Sequence, residues 1–340
     1  MQMNLFELNV RFILAGSLIL LTSFVITTSE ALAQSSKRKI YAAVLSNLSY
    51  TVGAQNSGVG LFVGDENGAQ WENVAFSNMR SFAIEIFPDH GDGLFYTANG
   101  NGVIVSHDGG KSWRVTTGWE ITEVLEAVAV PSNPKIIYIG TAYGLWKSVD
   151  YAENWQTLTK RFVNALHLDV AEPNRIYLGE EDGMRISKNS GNSFEPVRSF
   201  AYAVNHFAQD NSDPQRLYLG TEDHGIFISD DRGESWQQVD GAFATATVYS
   251  VKVDSRDPNK VFATTFANGI LRSLDRGETW QSISNGIENI PVYNIKIHPD
   301  YSGVLYAGTV NRGIFRSTDG GDSWQQFALD GTHIWELEIK

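Results

Sequence analysis

One eight-residue segment recurs through this chain, and self-similarity at an even period is the signature of an array of equivalent structural units. Six copies align: Ser106–Trp113, Ser148–Trp155, Ser187–Phe194, Ser229–Trp236, Ser273–Trp280 and Ser317–Trp324. Their frame is Ser-x-Asp-x-Gly-x-Ser/Thr-Trp, complete at Asp108, Asp231, Asp275 and Asp319. Asp150 is followed by Ala152 and Asn154 in place of glycine and hydroxyl, and Asn189 stands for aspartate in the copy that closes on Phe194. A seventh, Gly64 to Trp71, keeps only the glycine and the tryptophan. The closing aromatics Trp71, Trp113, Trp155, Phe194, Trp236, Trp280 and Trp324 lie 42, 42, 39, 42, 44 and 44 residues apart.

Between these segments the pattern is that of short strands. The sixth unit divides into Val248–Asp254, Lys260–Thr264, Gly269–Ser273 and Thr279–Ile283, separated by turn residues. Seven prolines (131, 134, 173, 214, 258 and 299, with Pro88) fall between the first and second strands of a unit, where a missing N–H costs no ladder bond. Four strands per ~40 residues make one blade of a β-propeller, so the expected fold is all-β, a seven-bladed β-propeller in one domain. The first unit begins at Lys39-Ile40-Tyr41, which matches a second strand. Its missing innermost strand is matched at the other end by His333–Lys340, so the C-terminus is expected to close blade one.

The recurring segment reads as the hairpin between the third and fourth strands of a blade. Its aspartate accepts main-chain N–H groups, its glycine takes a positive φ, and its aromatic opens the outer strand and buries against the neighbouring sheet. Asp108, Asp150, Asn189, Asp231, Asp275 and Asp319, with Trp113, Trp155, Phe194, Trp236, Trp280 and Trp324, are therefore assigned structural roles. Ala152 and Asn154 predict a rearranged turn in the third unit. Aspartates spread round a ring cannot converge on one substrate, so they are not assigned catalysis or a metal.

This frame resembles the Asp-box, or BNR repeat, of sialidases, sortilin-type receptors, xyloglucanase-type glycosidases and photosystem II assembly-factor propellers. The resemblance covers essentially all of the chain after residue 33, and it implies the propeller fold with either a glycosidase or a binding role. A sialidase-like site would need an arginine triad and an Arg-Ile-Pro signature near the N-terminus; the sequence has no such signature, and the expected inner strands carry no arginine. A xyloglucanase-like cleft needs two propellers, and the repeats here make one. The expectation is a non-catalytic recognition or assembly module for a protein or glycan partner, acting as a monomer; the alternative is a glycoside hydrolase-like enzyme using acidic loops on polysaccharide.

Composition narrows the partners. The 340 residues contain no cysteine and carry a formal charge of −13, which removes thiol and Cys-metal chemistry and repels nucleic acid. No cofactor is implied. Ligand sites on a propeller favour the face that carries the second-to-third-strand turns and the blade connections. That face receives Glu180-Glu181-Asp182-Gly183 and Glu222-Asp223-His224-Gly225 from adjacent blades, with Trp119 and Tyr143 from preceding ones. Trp119, Tyr143, Glu181, Asp182, Glu222, Asp223 and His224 are the candidate binding residues. A column on the inner strands reads Glu85, Val128, His167, Ala208, Lys252, Lys296, Glu338, whose opposite charges are expected to satisfy one another.

Residues 1–33 read as a signal peptide. Arg11 precedes the apolar run Phe12–Ile26, and Ala31-Leu32-Ala33 is a cleavage pattern. The expected product is exported, periplasmic or extracellular, with no membrane span in residues 34–340; an uncleaved N-terminal anchor is the alternative.

Overall fold

A computed structural model describes residues 38–47, 58–75, 79–197 and 200–340. Among these residues it forms seven antiparallel four-stranded sheets and no helix. The sixth sheet comprises Val248–Val253, Val261–Thr265, Ile270–Ser273 and Gln281–Ser282 in that order outward. Its outermost strand is shorter than the sequence pattern suggests, and Trp280, just before it, donates its indole N–H to the Gly277 carbonyl of its own hairpin at 2.8 Å. Pro214 differs slightly from the other prolines. It is the second residue of strand Asp213–Thr221, in a hairpin tight enough that Asp210 pairs with Asp213.

The ring closes at blade one. Its sheet runs Thr332–Ile339, Lys39–Asn47, Gly60–Asp65, Trp71–Ala75, so the C-terminal strand is innermost. Tyr41 faces Glu338, and Lys39 and Lys340 exchange main-chain hydrogen bonds of 2.8 and 3.0 Å.

The core lies between blades. On five second strands a tyrosine at the same position (Tyr96, Tyr138, Tyr177, Tyr218, Tyr306) is fully buried, with Phe262 in a sixth. Two residues on, Gly140, Gly179, Gly220 and Gly308 let the next blade's inner strand approach. A Cβ on any of them would meet Val163, Val204, Val248 or Ile334 at 2.7–2.8 Å. Blades six and seven share one cluster around Phe262, Ile283, Ile295, Leu305 and Trp324, and blades seven and one share another around Tyr306, Ile314, Ile40 and Leu337.

Each repeated turn is held from inside. In blade two, Asp108 Oδ1 accepts from Ser106 Oγ (2.8 Å) and from the Ser112 N–H (2.9 Å), and Asp108 Oδ2 accepts from Ser112 Oγ (2.6 Å). The same bonds recur at Asp231, Asp275 and Asp319. The expected rearrangement in the third unit does not occur. Asn154 supplies its main-chain N–H and its side-chain amide to Asp150 at 2.9 and 2.8 Å, replacing the hydroxyl, and Ala152 itself adopts φ 66°. The position before it is also left-handed in all six turns, from Gly109 through Tyr151, Ser190, Arg232 and Arg276 to Gly320.

The arginines near these turns lock blades together. Arg175 of blade four reaches Glu234 of blade five at 2.7 Å, while Arg232 of blade five returns to Asp169 at 2.9 Å. Arg216 with Glu278 and Arg276 with Asp210, each at 3.0 Å, repeat the exchange between blades five and six.

Candidate functional site

The inner strands begin on the face opposite the Asp-box turns, and six of the seven carry the same irregularity there. The register slips by one residue between Ser81 and Ala83, Val124 and Glu126, Val204 and His206, Val248 and Ser250, Val292 and Asn294, and around Trp335. A β-bulge re-aims the side chain of its extra residue. The bulged residues Phe82, Leu125, Asn205, Tyr249, Tyr293 and Trp335, with Asn164 at the equivalent place in blade four, all line the mouth of a central channel of about 570 Å³.

Four of them, on consecutive blades, form a continuous aromatic arc. Tyr249 stacks on Tyr293 (centroids 4.2 Å apart), Tyr293 leans on Trp335 (4.9 Å), and Trp335 meets Phe82 edge-on (5.7 Å). On the remaining side the amides of Asn164 and Asn205 reach across blades to the Val204 and Val248 carbonyls at 2.9 and 3.2 Å.

Below the mouth the channel is charged. The column of Glu85, Val128, His167, Ala208, Lys252, Lys296 and Glu338 faces Tyr96, Tyr138, Tyr177, Tyr218, Phe262, Tyr306 and Tyr41 on the second strands. The expected cancellation of its charges holds at one pair of neighbouring strands and not at the other. Lys296 pairs with Glu338 at 2.5 Å, but Lys252 is held by His206 at 3.0 Å, and Glu126 and Glu336 add two further carboxyls one layer higher. Burial, then the charges of Glu338 and Glu336, pushes Glu85 up to about 8. Burial pushes Glu336 up to about 7 against the pull of Lys252, and Glu126 is raised by burial and by Glu336.

The raised carboxyls make stability depend on pH. A carboxyl whose folded pKa is raised binds its proton more tightly in the folded chain, so its stabilisation is complete below the unfolded value near 4.5 and is lost as pH rises through 7 and 8. For every pH unit by which such a carboxyl is raised, about 1.4 kcal/mol is at stake. His167 and His206, lowered by burial, act in the opposite sense below about 6.5, so the melting temperature is expected to fall between pH 7 and pH 9, and Glu85→Gln should flatten that slope; an unchanged slope would place Glu85 in bulk-like water.

A groove of about 510 Å³ adjoins the mouth over blades four to six, lined by Phe162, Glu181, Ala203, Glu222, Asp223, Thr247, Tyr249 and Phe266 among others. Of the residues anticipated on this face, Glu181, Glu222 and Asp223 line it. Asp182 turns to Arg161 (3.1 Å), which also holds Glu180 at 2.6 Å. His224 stacks on Tyr202 with centroids 4.1 Å apart. Trp119, 98% exposed, and Tyr143, which donates to Glu123 at 3.2 Å, stand outside the groove lining. The aromatic arc lies three residues before Glu85, Lys252, Lys296 and Glu338, a regularity present in the sequence that an alignment on the charged column alone overlooks.

The signal-peptide segment lies outside the described residues. Among the described residues no helix is long and apolar enough to cross a membrane.

The BNR/Asp-box repeat family matches residues 227–238, the third-to-fourth-strand hairpin of blade five. No curated protein matches the chain in sequence. Among solved structures the chain is similar to the GH74 xyloglucanase from Xanthomonas campestris (TM-score 0.64, 17% identity, 83% of this chain and 54% of that one). It is also similar to YCF48 bound to D1 peptide (0.59, 18%, 77% and 87%) and to the extracellular domain of BT4673 from B. thetaiotaomicron (0.60, 18%, 81% and 38%). An ancestral GH74 enzyme is matched over 38% of its length, so this chain spans only part of either GH74 protein. At these identities the likeness is one of fold.

Proposed function

This chain is a seven-bladed β-propeller carrying BNR/Asp-box repeats, and from that premise we propose that it is an exported, non-catalytic recognition module. Its ligand, a protein or a glycan, docks on the channel mouth and the adjoining groove. The observation that carries this reading is the bulge: one extra residue, repeated in six blades, turns four adjacent aromatic side chains toward the same opening. Half-buried as they are, such aromatics beside a polar rim are of the type that anchors a binding surface. The neighbouring folds support the reading in kind, since one of them, YCF48, is seen with a peptide bound.

One observation favours the competing reading of polysaccharide hydrolysis, namely that Glu181 and Glu222 line a single groove. Peptide and glycan panels, screened for binding and for turnover, separate the two. Recognition predicts binding without turnover, weakened roughly tenfold to a hundredfold by Tyr293→Ala or Phe266→Ala, as expected for anchor residues. Turnover abolished by Glu181→Gln or Glu222→Gln would establish the hydrolase instead.

A further inference from the structure

The mouth and groove present hydrogen-bond acceptors in excess. Glu222 and Glu181 line the groove, and no lysine or arginine among the described residues pairs with either, since Arg161 is engaged by Glu180 and Asp182. Among the described residues Asp223 takes only the Thr247 hydroxyl, at 2.7 Å. Directly beneath Tyr293, Asn294 is 6% exposed and lines the channel, and among the described residues its side-chain oxygen has no hydrogen-bond partner. In the same layer Glu126 and Glu336 each accept one main-chain N–H, from Ala127 at 3.2 Å and Ile84 at 2.8 Å. Of the channel lysines, Lys296 and Lys340 pair with Glu338, and Lys252 bonds the His206 ring at the channel's own level, below the groove.

The walls between these acceptors are apolar: Phe162, Tyr249 and Phe266, the last 58% exposed. Resting on the reading of this face as a recognition surface, we propose that its ligand is a peptide segment bearing lysine or arginine, whose aliphatic stem lies on the aromatic wall while its cationic head meets the groove carboxylates Glu181, Glu222 and Asp223. Lysine and arginine combine an apolar stem with a donor-only head. An amino sugar lacks the stem, a neutral glycan lacks the charge, and an anionic ligand would be repelled.

The test is fluorescence anisotropy of labelled oligolysine titrated with the full chain, with oligoglutamate, a cello-oligosaccharide and a neutral peptide as parallel probes. Oligolysine should bind, with an affinity that falls as salt rises. The double variant Glu222→Gln/Asp223→Asn should bind about tenfold more weakly, with a melt showing that it is folded. Glu195→Gln, an exposed carboxylate on the outermost strand of blade four, should bind as wild type does. Equal weakening by Glu195→Gln, or none in the double variant, would overturn the proposal by showing diffuse attraction to an acidic protein. If oligolysine fails while the oligosaccharide or neutral peptide binds in a Phe266-dependent way, the cationic specificity falls and the recognition face stands. If no probe depends on Phe266, both fall.

Discussion

A chain ending at residue 331 is expected to lose the cooperative fold. That truncation removes the strand Thr332–Ile339 and leaves Lys39–Asn47 as a bare edge at the centre of the ring. It also uncovers Ile40, Ala42, Tyr306 and Ile314, which Ile334, Leu337 and Ile339 bury. An exposed inner edge of this kind invites pairing between chains, so the truncated protein should aggregate or melt far below the full chain. A synthetic peptide covering residues 330–340, added during refolding, should restore part of the melting transition. A full-length-like melt of the truncated chain would show that the blade does not need its last strand.

The second large effect is expected at Trp324. This indole is 3% exposed, packs among Ile283, Ile295, Leu305 and Phe315, and donates to the Ile283 carbonyl at 2.7 Å. Trp324→Ala should cost about 3–5 kcal/mol, the range for deleting a large buried aromatic. Trp280, the tryptophan of the preceding blade, is only half-buried and its N–H bonds the Gly277 carbonyl of its own turn at 2.8 Å. Its truncation should cost clearly less. Chemical denaturation of the two variants side by side measures the difference; equal losses would mean that the repeated tryptophans are equivalent in spite of their unequal burial.

Much of the scaffold is legible in the sequence because it is local and repeated. The Asp-box frame specifies a turn through bonds that span four residues, and the match between His333–Lys340 and other inner strands foretells the closure. What the pattern hides is geometry that depends on register. A bulge adds one residue and leaves no composition signal, so the spacing of Phe82, Tyr249, Tyr293 and Trp335, three residues before the charged column, is present in the sequence while the direction in which their side chains point is not. Asn154 reads as a broken turn because its amide can imitate the lost hydroxyl only at the distance the fold sets. The arginine exchanges between blades join residues some 60 positions apart, as Arg216 and Glu278 are, and no local pattern encodes them. On the candidate face, the repeat alone places the charges of Glu181, Glu222 and Asp223 in a common neighbourhood. It cannot set Asp182 apart from them, because its partner Arg161 lies in the preceding blade connection.

Which end of the channel meets the ligand decides whether the mouth is a recognition surface. Hydrogen exchange of the full chain, with and without saturating oligolysine, reads this directly. Slowed exchange is predicted at the starts of the inner strands, around residues 247–250, 291–294 and 333–336, and at the turn 222–225, with the Asp-box turns unchanged. Protection at residues 229–236 and 273–280 with none at the mouth would contradict it.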